Sequence, residues 1–261
     1  MRVLFSFLLF FVLIFDSAEA PMAGKTGAVQ ASSQTGVRPI PPELSPFKQN
    51  DEQKVAYLTF DDGPSLNTKN ILDVLDRYHV KATFFVKENE KPYAMKGYRE
   101  INKRGHVIAL HSSSHDYSVI YRSKDGFFED LNQLEAFLKG NFGISSRLVR
   151  FPGGSRNITT RQNATKHVVN EVIQELSKKG YVYCDWNVDS KDGFSSSISE
   201  QTIINSVLKG TRNQKQAVIL LHDITDMKNT VRALPEIIEG LKEQGYIFDI
   251  IHDDSQQVQF K

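Results

Sequence analysis

Seven short apolar runs, each followed or preceded by a helix-patterned stretch, limit what this chain can fold into more than any other feature. The runs are Val55–Phe60, Ala82–Val86, Val107–Leu110, Leu148–Phe151, Tyr181–Trp186, Ala217–Leu221 and Ile247–Ile251. Between them lie Thr68–Tyr78, Lys96–Lys103, Gly126–Leu138, Val168–Lys178, Glu200–Leu208 and Thr230–Glu243. Apolar residues recur there at helical spacing, as in Ile71, Leu72, Leu75 and Tyr78. Gly105, Gly180 and Gly245 stand between a helical stretch and the next strand, where a left-handed cap is wanted. Strand and helix in alternation predict parallel strands and an α/β fold. A closed barrel and an open doubly wound sheet both fit. No glycine-rich phosphate loop follows the first run, which counts against a nucleotide-binding sheet. In a barrel, chemistry sits at the C-terminal ends of the strands.

Reactive residues cluster at those ends. Asp61 and Asp62 follow the first run, in "TFDDGP". His111 and His115 follow the third, in "HSSSH", and Arg150 lies within the fourth, ahead of "FPGGS". Asp185, Trp186, Asp189 and Asp192 end the fifth, in "DWNVDSKDG", and His222 and Asp223 end the sixth. Two imidazoles four residues apart can converge on one metal ion. With one carboxylate they supply three protein ligands and leave a position for water, as in catalytic zinc sites. The same set also suits an Fe(II) oxygenase.

A metal lowers the pKa of bound water to about 7, and a base must still take its proton. An aspartate, with a reference pKa of about 3.9, is ionised at neutrality and can do so, but it is a poor acid. A histidine beside a carboxylate is the better proton donor. His222 fits, with Asp192 or Asp223 as its partner, and Arg150 can hold a carboxylate by a charge-assisted bond.

The termini and composition frame this chemistry. A net charge of +1 over 261 residues gives no electrostatic case for nucleic acid, and a monomer is expected. Residues 1–20 read as a secretory signal, or an uncleaved anchor: Arg2, an apolar core from Val3 to Phe15, then Ala18–Ala20. Pro21 is unfavourable directly after the cut. Residues 21–48 lack periodicity and are rich in Gly, Ser, Gln and Pro, as in a flexible linker. That leaves 49–261 as the catalytic domain, secreted or held at the wall or membrane on the extracellular side. Cys184 is the single cysteine, so no internal disulfide forms; its apolar surroundings read as a buried core thiol.

Taken in order, "TFDDGP", "HSSSH", "RFPGGS", "VDSKDG" and "LLHD" resemble the motifs of the NodB-type polysaccharide deacetylases, the family 4 carbohydrate esterases. The resemblance spans roughly residues 54 to 252. It implies a distorted, TIM-like (β/α) barrel of about seven parallel strands. It implies that Asp61 is the general base, that Arg150 orients it, and that His222 is the acid; Asp192 is counted with them as a candidate catalytic residue. Asp62, His111 and His115 would bind a divalent metal, zinc first, with cobalt or another transition metal as alternatives. Leu220 would help line a pocket for the acetyl methyl. The reaction implied is hydrolysis of N-acetyl groups on a sugar polymer. Peptidoglycan leads, and chitin oligomers and acetylxylan are rivals. A wall-binding homologue with weak catalysis is the alternative from another class.

One departure stands out. The family's fourth motif usually ends Asp-Trp, whereas Gly193 follows Asp192 here. Trp186 is the only tryptophan and is a candidate to compensate. Phe151, Pro152 and Gly153 are expected at the substrate, where glycine permits close backbone approach. Asp189, His79, His106, His167 and His252 read as structural or surface residues.

Overall fold

The computed structural model describes residues 53–156, 163–254 and 257–260. The expected signal and linker, residues 1–48, lie outside them. Among the described residues, no helix is long and apolar enough to cross a membrane.

The chain alternates as its periodicity dictates. β1 (Lys54–Asp61), α1 (Thr68–Tyr78), β2 (Thr83–Lys87), α2 (Pro92–Lys103) and β3 (Val107–Ser112) come first. The short α3 (Tyr117–Ile120), α4 (Lys124–Phe142), β4 (Leu148–Val149), α5 (Asn163–Lys178) and β5 (Val182–Tyr183) follow. β6 (Val188–Asp189), a 3-10 turn (Asp192–Phe194), α6 (Glu200–Gly210), β7 (Gln216–His222), α7 (Lys228–Glu243) and β8 (Tyr246–Phe248) complete it. Sequence periodicity missed β6 and α3, because two and four residues carry no readable period.

All strand pairings are parallel, in the order β5-β4-β3-β2-β1-β7-β6. β7 runs along one whole edge of β1, from Val55↔Gln216 to Asp61↔His222. β2 takes the C-terminal part of the other edge and β8 its N-terminal end. No pairing joins β5 to β6 among the described residues, so the curled sheet stays open there. The C-terminal segment lies beside β5, with the Asp185 N–H donating to the Val258 carbonyl at 2.7 Å. This is the distorted barrel that the sequence led us to expect.

Strand parity divides the core in two. Ala56, Leu58, Phe60, Phe84, Val86, Ile108 and Leu110 point outward, against Ile71, Leu72, Leu75, Ile101 and Leu134 of the helices. Val55, Tyr57, Phe85, Ala109, Leu148, Cys184, Val218 and Ile251 form a second cluster that contains no helical residue and fills the concave interior. Cys184 is buried there, and that burial pushes its thiol pKa up, as suits an inert core residue.

Candidate active site

The interior stripe leads directly to the site. On β1 the residues facing inward are Val55 and Tyr57, then Thr59 and Asp61 by parity. On β3 the step from Ala109 reaches His111; past β4 the step from Leu148 reaches Arg150; on β7, Val218 leads to Leu220 and His222. Each polar residue caps an apolar column at the same end of the barrel. Asp62 should then face away. It does not, because its φ is 74°, a left-handed conformation that aspartate tolerates better than bulkier residues. This turn brings the carboxylate of Asp62 back over the mouth.

There, Asp62 Oδ1 lies 3.2 Å from His115 Nε2 and 3.8 Å from His111 Nε2. One ligand atom from each of these three residues falls within 4.8 Å of the others. His111 Nδ1 is 2.8 Å from the carbonyl of Arg150, which can only accept, so Nδ1 carries the proton and Nε2 offers its lone pair. Burial, with the charges of His111 and Lys87, lowers His115 to about 4 despite Asp62, so it is neutral at physiological pH. Burial works against the charge of Asp62, but His111, His115, Lys87 and His222 outweigh it and hold its pKa low. Oδ1 of Asp62 is buried and accepts no hydrogen bond among the described residues. Such an orphaned carboxylate oxygen is costly. Two imidazole nitrogens and a carboxylate oxygen without a hydrogen bond make a donor set that fits a divalent cation.

A residue that the sequence reading overlooked holds this loop in shape. Asp130 of α4 is buried and accepts from Ser112 Oγ at 2.6 Å, the Ser113 N–H at 2.8 Å and the Ser114 N–H at 2.8 Å. Ser112 Oγ in turn accepts from the His115 N–H at 2.8 Å, where the backbone is left-handed with φ 54°. The signal was present: Asp130 falls on the apolar stripe of Phe127, Leu131 and Leu134. Asp130→Asn places an amide N–H against backbone donors. The expected outcome is metal affinity about 10- to 100-fold weaker with the fold retained, read by chelator competition and circular dichroism.

Asp61 is held differently from Asp62. Its Oδ1 accepts from Arg150 Nη1 at 2.9 Å, and its Oδ2 stays 4.0 Å from His111 Nε2. Arg150 is fully buried. It also donates to Thr59 Oγ1, the Cys184 carbonyl and the Asp185 carbonyl, and its guanidinium lies 4.0 Å from the centroid of the Phe85 ring. Asp185, whose role the sequence left open, braces the neighbouring loop by accepting from the Ser155 N–H and Oγ and the Phe260 N–H.

On the neighbouring strand β7, in register with Asp61, His222 Nδ1 lies 2.7 Å from Asp192 Oδ1. Asp192 Oδ2 accepts from the His222 N–H at 2.8 Å and Thr230 Oγ1 at 2.9 Å. Burial opposes the imidazolium, but Asp192, aided by Asp61 and Asp62, lifts His222 to about 9. Asp192 is therefore the partner. Asp223 turns the other way and accepts from Ser65 Oγ at 2.6 Å and Thr68 Oγ1 at 2.5 Å, bracing the loop after β1. Burial raises its pKa to about 6.

The substrate-contact expectations fare unevenly. Leu220 lies one inward step below His222 and is 6% exposed. Gly153 is exposed at a turn with φ 74°. Pro152 is buried, and its carbonyl accepts from the Tyr121 hydroxyl at 2.8 Å. Phe151 needs correcting: its ring is fully buried between Phe127 and Tyr183, so it anchors the loop from the core. Trp186 stands beside Phe260, with its ring centroid 5.8 Å from the Arg150 guanidinium, and packs over Gly154. Gly193 is more than a missing wall. A Cβ there would lie 2.5 Å from His222 Cε1, so the imidazole occupies the space a side chain would need.

Residues 48–172 match the polysaccharide deacetylase family. A peptidoglycan-N-acetylglucosamine deacetylase of Bacillus cereus is 32% identical over 214 residues, covering 78% of this chain and 71% of that protein. A bifunctional xylanase/deacetylase of Pseudobutyrivibrio xylanivorans is 34% identical over 197 residues, 75% of this chain and 29% of that protein. Among solved structures, the catalytic domain of peptidoglycan N-acetylglucosamine deacetylase from Eubacterium rectale is 37% identical with a TM-score of 0.73. That match covers 82% of this chain and 95% of the solved one.

Proposed function

The chain belongs to the polysaccharide deacetylase family, a family of hydrolases acting on polysaccharide, and from that premise we propose that it removes N-acetyl groups from the amino sugars of peptidoglycan, outside the cell. One observation carries the reading: Asp62, His111 and His115 converge between an aspartate tied to Arg150 and a histidine tied to Asp192. The leader-like layout of residues 1–20 supports export.

A divalent cation on Asp62, His111 and His115, zinc in this reading, would polarise the acetyl carbonyl and acidify the attacking water. Asp61 takes the water's proton on Oδ2, since Arg150 occupies Oδ1 and fixes the carboxylate's orientation. Water adds to the carbonyl carbon and the carbon–nitrogen bond then breaks. His222 gives the departing nitrogen its proton from Nε2, because Nδ1 is engaged by Asp192. Acetate leaves, and the sugar keeps a free amine within the polymer. Leu220, inward of His222, offers an apolar neighbour for the acetyl methyl.

A second reading follows the likeness to the xylanase/deacetylase, namely ester cleavage on acetylxylan. The same acid serves there, since a departing alkoxide also needs a proton. Acetate release from peptidoglycan, N-acetylglucosamine oligomers and acetylxylan separates the two. The expected outcome is release from the amino-sugar polymers that stops with chelator and returns with zinc. Release from acetylxylan alone selects the ester reading. No metal-dependent release from any polymer favours a wall-binding homologue.

A further inference from the structure

One cation faces the metal-ligand cluster without a part in the chemistry above. Lys87 ends β2, and its Nζ lies 3.5 Å from Asp62 Oδ1. That is the oxygen His115 Nε2 approaches to 3.2 Å and His111 Nε2 to 3.8 Å. Among the described residues, Lys87 is the one lysine or arginine paired with Asp62.

The backbone of Lys87 is fixed on both sides. Its N–H donates to the Gly63 carbonyl at 2.9 Å, and its own carbonyl accepts from the Tyr98 hydroxyl. The register between β2 and β3 shifts at Val86/Lys87, an irregularity of the kind that re-aims a side chain. The side chain is 32% exposed, so the ammonium borders the cluster on one side and solvent on the other. It can reach Asp62, and it can leave.

Asp62 is a largely buried carboxylate, and a buried charge needs a partner. Lys87, with its Nζ 3.5 Å from Oδ1, supplies one. A dication on the same carboxylate would then sit beside the ammonium, and like charges at such range repel strongly where water is scarce.

We propose that Lys87 is a built-in counter-ion to Asp62, which balances the carboxylate in the metal-free chain, must swing to solvent when a divalent cation binds, and so weakens metal affinity. This rests on the metal-binding reading of Asp62, His111 and His115. The lysine makes the site loaded or stripped by ambient metal, where the same cluster without it would hold its ion more tightly. It also keeps the empty cluster from carrying an unpaired buried charge.

The test measures zinc and cobalt dissociation constants by chelator competition on the full chain and on K87M, K87Q and K87R. Melting temperatures are taken with and without metal. Tighter binding by about tenfold or more in K87M and K87Q, with K87R near the unsubstituted chain, is the expected result. In the same two variants the metal-free protein melts lower and gains more on metal addition. Equal or weaker binding in both neutral variants overturns the proposal. Failure of the unsubstituted chain to bind either metal is a different result, and it overturns the metal-binding reading itself. Should K87M fold poorly, K87Q read against K87R carries the same decision.

Discussion

Asp61→Asn lowers kcat by about 10²- to 10⁴-fold, the range expected for loss of a general base, and leaves metal affinity within a few-fold of the starting protein. Asp62→Asn does the reverse in order of cause: the metal is lost first and activity follows. The two neighbours separate in this way because their surroundings differ. Asp61 spends Oδ1 on Arg150 at 2.9 Å and leaves Oδ2 clear of it, whereas Asp62 aims at two imidazoles an Oδ1 that accepts no hydrogen bond among the described residues. An asparagine at 61 still offers Arg150 an oxygen, so the site geometry survives. It removes the one carboxylate paired with that buried guanidinium among the described residues, and a stability loss of up to about 3–5 kcal/mol accompanies it. Arg150 retains two carbonyls, Thr59 Oγ1 and the Phe85 ring, which places the cost toward the lower end. Single-turnover rates, bound-metal content and thermal melts on the two variants check the whole pattern. Metal loss in Asp61→Asn with retention in Asp62→Asn reverses the assignment.

The separation of these two acids shows what a sequence can and cannot convey. The strand end after "VAYLTF" was legible, and the family resemblance implied separate roles for the adjacent acids. The face each would take was not. Both faces of β1 are buried, so the run is apolar throughout and its alternation leaves no mark on composition. The left-handed turn at Asp62 is likewise a property of the loop, set by Gly63 lying against Asp223 and by pairing across to Lys87. The alternation of seven apolar runs with helices was enough for a parallel α/β sheet, because period and order are local signals; the choice of a barrel over an open sheet came from the family resemblance. β6 escaped because two residues have no period.

The partner of His222 makes the same point from the other direction. Asp223 is its chain neighbour and Asp192 lies 30 positions away, so proximity in sequence favours the wrong one. In an extended strand, neighbours point to opposite faces, and a residue from another strand end is better placed. Asp223 accordingly serves Ser65 and Thr68 at the head of α1. Gly193 was legible as a departure but not as a contact, since only the packed structure puts the His222 ring where a Cβ would go.

Asp192→Asn moves the alkaline limb of the pH–rate profile to lower pH and reduces kcat by about 10²-fold or more at mildly alkaline pH, the scale of a lost general acid. The sign follows from the balance at His222. Burial disfavours the imidazolium, and the hydrogen bond and charge of Asp192 overcome it to place the pKa at about 9. Without that carboxylate, burial prevails, and the ring is neutral where it should donate. The same change alters stability in a pH-dependent way. A pKa raised above the unfolded value of about 6.5 contributes stability that is complete below that value and lost as pH rises through about 9. The melting difference between the unsubstituted chain and Asp192→Asn is therefore largest in mildly acidic buffer and narrows above about pH 9. It does not vanish, because Asp192 also accepts from the His222 N–H and from Thr230 Oγ1. A pH–rate profile and melts across the same pH range test both limbs. An unmoved alkaline limb would show that the acid of the reaction is not the His222–Asp192 pair.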